Sequence, residues 1–144
     1  MRSNRIIPNP LRKGDLVGSS AGSGPINPTD LKKGISFIET MGLKFKLIAN
    51  IHTSAYYLAG SDEQRVKSLN DFLIDPEIRG VIFARGGYGV MRVLPRINFE
   101  AMTTDPKIML GMSDLTALSM AAFNLCGLVT IAGPMLAVQR AHEM

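Results

Sequence analysis

Ile108-Met109-Leu110-Gly111-Met112-Ser113-Asp114-Leu115-Thr116 is the stretch on which the fold turns. Its first half is a short apolar run suited to a buried strand, and its second half has the polar residues that open a helix. A strand that passes into a helix through a tight turn is part of a βαβ unit, the building block of a parallel sheet. The turn lifts Ser113 beside the unpaired N–H groups and positive dipole end of the new helix. That setting suits a nucleophile whose attack creates an oxyanion. It equally suits a plain helix start, in which Ser113, Asp114 or Thr116 caps the helix with its side chain.

Outward from this stretch the same alternation recurs. Downstream, the helix is expected to run to about Leu125 and stop at Gly127, and Leu128–Ala132 reads as a fifth strand leading into Gly133-Pro134-Met135. Upstream, Asp15–Ser20 reads as a first strand, followed by a loop of small residues, Ala21 to Pro28. A helix from Thr29 or Asp30 carries Leu31, Ile35, Ile38 and Met41 at helical spacing and stops at Gly42, while Gly34 within it has no evident reason. Lys44–Ile48 is a second strand, and Ala49 to Gly60 a loop. Ser61 and Gln64 have capping-box spacing before the stripe Val66, Leu69, Phe72 and Leu73, which ends at Asp75-Pro76. Gly80–Ala84 is a third strand opening into Arg85-Gly86-Gly87-Tyr88-Gly89. Val90 to Leu94 reads as a short helix, Pro95 to Pro106 as irregular or helical, and Lys107 to Leu110 as the fourth strand. Helices alternating with apolar strands predict a parallel α/β sheet covered on both faces.

Composition narrows the function classes. The 144 residues suit one domain, with 46% hydrophobic and 19% charged residues. The net charge of +4 is scattered from Arg2 to Arg140 without a basic run or aromatic-basic stripe, which argues against a nucleic-acid partner. The single cysteine, Cys126, sits among Phe123, Leu125 and Leu128 and reads as a core residue. No segment is apolar enough to span a bilayer, and Met1 to Leu11 lacks the apolar core of a secretory signal, so no membrane partner and a cytoplasmic location are expected. The last residues to Met144 read as the start of a further helix near Met135, which predicts a fragment or the first domain of something longer.

Three loops of small residues, Gly22 to Gly24, Gly86 to Gly89 and Gly111 to Ser113, each follow an expected strand. Parallel strands would gather all three at one edge of the sheet, where sites are assembled. Gly86-Gly87 permits backbone with positive φ and a close approach of N–H groups to a substrate oxygen, or is merely a tight turn. Neither phosphate-loop glycine pattern is present. A serine nucleophile needs a base, and His52 and His142 stand in contexts that do not suggest one. The base is then a lysine or carboxylate, or lies on other sequence.

Leu11-x-x-Gly14-Asp15, Leu58-Ala59-Gly60-Ser61-Asp62-x-x-Arg65, Ala84-Arg85-Gly86-Gly87-Tyr88-Gly89, Pro106-Lys107, Gly111-Met112-Ser113-Asp114-Leu115-Thr116-Ala117-Leu118 and Gly133-Pro134-Met135 together resemble the N-terminal domain of the LD-carboxypeptidase family. This serine peptidase group also contains the microcin C immunity hydrolases. The resemblance covers nearly the whole chain and implies a flavodoxin-like α/β domain, residues 1–144, bearing the nucleophile. It implies that Ser113 attacks an amide carbonyl, that backbone N–H groups of Asp114 and of Gly86-Gly87 form the oxyanion hole, and that Arg85 and Tyr88 contact substrate or hold the site's shape. Substrates would be murein peptides, cut between an L-centred residue and a terminal D-amino acid, or peptidyl-nucleotides. No metal or organic cofactor is expected, and the full-length protein is expected to be a homodimer.

Two departures from the family matter. Met112 stands where the family has an aromatic residue, and the family's glutamate and histidine belong to a C-terminal domain absent from this chain. Losing a triad partner costs on the order of 10⁴ to 10⁶ in rate, so the 144 residues alone are expected to be inactive or nearly so. The alternative reading is a non-catalytic module that binds a peptide or nucleotide at the same sheet edge. A third is a structural remnant that pairs with another chain.

Overall fold

The computed structural model describes residues 4–47 and 54–137. In chain order the elements are β1 (Leu16–Gly18), α1 (Pro28–Thr40), β2 (Lys44–Lys46), α2 (Asp62–Ile74), β3 (Ile78–Ile82), α3 (Val90–Val93), α4 (Phe99–Thr104), β4 (Ile108–Gly111), α5 (Thr116–Cys126) and β5 (Ile131–Ala132). Every strand pairing is parallel, and the order across the sheet is β2-β1-β3-β4-β5. This is the flavodoxin-like doubly wound arrangement. Val17 pairs with Phe45 on one side and Gly80 on the other, Val81 with Met109, and Gly111 with Ala132.

Local chemistry sets the helix ends. Asn27 Oδ1 accepts from the N–H of Thr29 at 2.8 Å and of Asp30 at 3.4 Å, with Pro28 at the first helical position. Helix α1 therefore starts slightly earlier than Thr29, where the sequence placed it. At α2 the capping box is complete, with Gln64 N–H donating to Ser61 Oγ and Ser61 N–H to Gln64 Oε1. Gly34 gains its reason: a Cβ there would lie 2.7 Å from the carbonyl oxygen of Leu136, which crosses α1 at that point. The stretch 95–106 contains α4, capped by Asn98.

The strand bounds need correction: the first strand spans Leu16–Gly18 rather than Asp15–Ser20, and the fourth is shifted by one residue to Ile108–Gly111. The third strand begins at Ile78 rather than Gly80, although Phe83 and Ala84 N–H still donate to Leu110 O and Ser20 O beyond its end. The fifth is only Ile131–Ala132, because Gly127 in the left-handed region (φ 74°) turns the chain so that Leu128 is fully buried and bridges Ile6. Ile6 N–H donates to Gly127 O and Val129 N–H to Ile6 O, both at 2.9 Å, so the N-terminal segment takes hydrogen bonds the sequence assigned to the sheet.

The larger core lies on one face, where Val66, Leu69 and Phe72 of α2, Val90 and Val93 of α3, Met102 of α4 and Leu118 and Ala122 of α5 pack on Ile78, Val81 and Met109. Cys126 belongs to this core, its thiol donating to Phe99 O and its pKa pushed up by burial. On the other face α1 supplies the helical cover among the described residues, through Leu31 and Ile38 over Val17 and Ile82. Beyond α1 this face opens into an apolar groove of about 560 Å³, lined by Ile82, Ile108, Leu110, Ile131, Met41 and Leu136 among others. No helix of the described residues is long and apolar enough to cross a membrane.

Candidate functional site

The sheet order reverses between β1 and β3, so the chain departs in opposite directions from their carboxyl ends and leaves a crevice there. The loops after β1 and β3 flank that crevice, and the turn after β4 adjoins it. Gly24 N–H donates to Gly86 O at 3.1 Å, joining the first two loops directly. A Cβ on Gly86 would sit 2.9 Å from Ser113 Cβ and 3.1 Å from Ser113 Oγ, so the glycine loop lies against the serine side chain. The three loops gathered by the sequence reading are thus in contact.

Ser113 is one of two non-glycine residues with positive φ among those described, at 62°. Holding an L-residue there costs on the order of 1–3 kcal/mol, a strain characteristic of a serine on a sharp strand-to-helix turn. Its side chain is exposed, no described residue hydrogen-bonds its hydroxyl, and no side-chain cap bond opens the 3₁₀ turn Ser113–Leu115 or α5. Ser113, Asp114 and Thr116 therefore do not act as the helix caps the plain reading required.

Asp114 directs its carboxylate elsewhere. Its Oδ2 accepts from Ser23 Oγ at 2.5 Å, in the loop after β1, and from Val90 N–H at 2.8 Å, at the end of the glycine loop. The Asp114 main-chain N–H opens the 3₁₀ turn, where helix geometry supplies no internal acceptor. The Gly86–Gly87 peptide is trans and its carbonyl is held by Gly24, so the Gly87 N–H faces away from the β1 loop. Gly87 has φ 120° and Gly89 φ 130°, backbone that only glycine adopts without strain.

Arg85 and Tyr88 lie at the exposed rim. Arg85 Nη1 donates to Pro25 O at 3.2 Å, a further tie between the loops. The Tyr88 ring stands 5.9 Å from that of Tyr57 at a tilt of 54°. Met112, in extended backbone, is also exposed.

Arg65 is a residue to which the sequence reading gave no role. Its side chain is 1% exposed, and Nη1 donates to Gly22 O at 2.7 Å and Gly89 O at 2.9 Å, while Nη2 is paired with Asp62. The signal was present: Arg65, Leu69 and Phe72 share one helical face, so a cation sits at the head of an apolar stripe. Burial by itself would raise the Asp62 pKa, but hydrogen bonds from Arg65 and Arg92 outweigh it and hold the carboxyl below the usual range. His52 and His142 lie outside the described residues. Among the described residues no group of three or more His, Cys, Asp or Glu side chains is placed to hold a metal ion.

An exposed serine on a strained turn, beside glycine-loop and helix-start amides, is equipped for attack on a carbonyl, while the described residues bring no base to it. Comparison with known proteins fits this arrangement. The family model for the LD-carboxypeptidase N-terminal domain matches residues 16–133. The chain is 40% identical over 129 residues to the probable murein peptide carboxypeptidase of Bacillus subtilis, covering 90% of this chain and 40% of that protein. It is 30% identical over 141 residues to the microcin C7 self-immunity protein MccF of Escherichia coli, covering 94% of this chain and 40% of that one. The solved structure of MccF with aspartyl sulfamoyl adenosine superimposes with a TM-score of 0.87 at 28% identity, covering 92% of this chain and 40% of that chain. The chain thus spans about two fifths of the length of these relatives. In sequence over nearly its full length, and in the order of its strands, it belongs to the LD-carboxypeptidase family and corresponds to that family's N-terminal domain.

Proposed function

We propose that residues 1–144 are the nucleophile-bearing N-terminal domain of a serine hydrolase that removes a terminal D-amino acid from murein peptides in the cytoplasm. The observation that carries this reading is Ser113 held at φ 62° with Gly86 against its side chain. Ser113 Oγ attacks the amide carbonyl carbon, forming a C–O bond while the π pair moves to oxygen. The Asp114 and Gly87 N–H groups donate to that oxyanion. The hydroxyl proton passes through a base to the leaving amine as the C–N bond breaks, and water then hydrolyses the acyl-enzyme. Arg85 and Tyr88, on the rim, contact the substrate.

The base belongs to the remainder of a longer enzyme. The chain spans about two fifths of the length of the relatives it matches, which supports that division. Without the base the 144 residues retain little activity. The murein peptide is favoured because the 40%-identical relative is named for it, and the MccF complex makes a peptidyl-nucleotide the second substrate to try.

The test is D-alanine release from a murein tetrapeptide by the protein as its reading frame encodes it, beside release of the amino acid from an aminoacyl sulfamoyl adenosine. D-alanine release lost in Ser113→Ala is expected. Cleavage of the nucleotide alone would move the protein to the immunity branch, and tetrapeptide binding without cleavage would make it a binding module.

A further inference from the structure

One peptide group in the glycine loop is gripped from both sides. The carbonyl of Gly89 accepts from Arg65 Nη1 at 2.9 Å, and the N–H of the same peptide, on Val90, donates to Asp114 Oδ2 at 2.8 Å. The two charged side chains also meet across the loop after β1. Arg65 Nη1 holds Gly22 O at 2.7 Å, and the next residue, the fully buried Ser23, donates its hydroxyl to the same Asp114 oxygen at 2.5 Å. The grip leaves no space for a side chain at Gly89, where a Cβ would lie 2.9 Å from Arg65 Nη1 and 2.5 Å from Leu58 Cδ2.

We propose that Arg65 and Asp114 are a pair of positioning residues that clamp the Gly89–Val90 peptide between a cation and an anion, and so fix the glycine loop relative to Ser113. The proposal rests on the reading of Ser113 as nucleophile and deepens it. Asp114 is the link. Its main-chain N–H is one oxyanion donor, and its side chain holds, through Val90, the loop that carries the other, Gly87. The two donors are thereby set by one residue, and their spacing does not depend on the substrate arriving. Hydrogen bonds to charged groups are stronger than neutral ones, and a buried peptide held at both ends resists the small rotations that would misplace a donor. Donors fixed before the reaction act on the transition state more than on the bound substrate, so a loosened clamp lowers kcat with little change in KM.

The experiment measures kcat and KM for D-alanine release from a murein tetrapeptide, in the protein as its reading frame encodes it, for Asp114→Ala, Asp114→Asn and Arg65→Lys. Asp114→Ala is expected to lower kcat by about 10- to 100-fold with KM within about 3-fold, the size seen on losing one oxyanion donor or less. Asp114→Asn, which keeps an acceptor oxygen, is expected to recover most of that loss. Arg65→Lys is one atom shorter and lacks the second nitrogen that pairs with Asp62, so it cannot keep Gly22 O, Gly89 O and Asp62 together, and it is expected to lower kcat about 10-fold. Ser23→Ala removes one bond to Asp114 and should fold even where Asp114→Ala does not; a decline in kcat of about 3-fold is expected. A rise in KM at unchanged kcat, or unchanged kinetics in all four variants, overturns the clamp. Ser113→Ala in the same assay separates the two ideas: retained activity there overturns the nucleophile itself, whereas lost activity there with normal clamp variants overturns the clamp alone.

Discussion

Two buried cations hold the two ends of α2, and they do different work. Arg65, in its first turn at the carboxyl edge of the sheet, donates to carbonyls of two loops that form the site. Lys107, just ahead of β4 at the opposite edge, is equally buried, with 1% of its side chain exposed. Its ammonium donates to Asp75 O and Ile78 O at 2.8 Å and to Asp105 Oδ2 at 2.5 Å, so its three protons are all used on the end of α2, the start of β3 and the turn before β4. Arg65 keeps an unpartnered Nε among the described residues. A compact ammonium satisfied on all sides stabilises a fold, while a guanidinium that joins two loops through one nitrogen and is anchored on Asp62 through another sets the geometry of a site.

The sharpest way to break that contrast is Lys107→Met. It removes the ammonium from Ile78 O, Asp75 O and Asp105 Oδ2, of which Asp75 O keeps the Ile78 N–H and Asp105 keeps Arg79, and a loss of about 3 kcal/mol in urea unfolding is expected, with kcat of the folded protein within about 3-fold of the parent. A loss of kcat as large as that expected for Arg65→Lys would erase the distinction between the two ends.

A smaller effect sharpens the site's side of it. Ser113→Gly relieves the positive φ that Ser113→Ala retains, so Ser113→Gly is expected to unfold at higher urea, by about 1 kcal/mol, although both are inactive. Equal midpoints would mean that the turn stores no strain.

Acid reads both ends together. The Asp62 carboxyl, on the Arg65 side, lies below its ordinary pKa because its arginine partners outweigh burial. At the other end, the hydrogen bond from Lys46 lowers Asp75, and bonds from Lys107 and Arg79 outweigh burial at Asp105. Carboxyls depressed in the folded state contribute stability that is full above their unfolded pKa of about 4 and is lost as pH falls through the folded values. Urea midpoints are therefore expected to be flat from about pH 7 to 5 and to fall below about pH 4. A midpoint that rose on acidification would contradict these shifts.

The sequence made the architecture readable where local rules act alone. Strand and helix alternation, the Ser61–Gln64 box and the three glycine loops needed only periodicity and turn chemistry. What it hid depended on distant partners. Leu128 left the sheet for Ile6, more than a hundred residues earlier, and Gly34 is explained by the passage of Leu136. The carboxylate of Asp114 looked like a helix cap because capping is the local use of such a residue, whereas its partners are Ser23 and Val90. Arg65 and Lys107 were legible in part, since each stands on the buried face of an apolar pattern, Arg65 with Leu69 and Lys107 with Met109. The carbonyls they hold belong to other elements and left no mark beside them.

The most direct measurement is intact-mass and peptide-mapping analysis of the protein, as its reading frame encodes it, after reaction with a fluorophosphonate. The account predicts one phosphonyl adduct, on Ser113, absent from Ser113→Ala. A protein that releases D-alanine yet carries no adduct, or carries it at another residue, would contradict the assignment of Ser113 as the nucleophile.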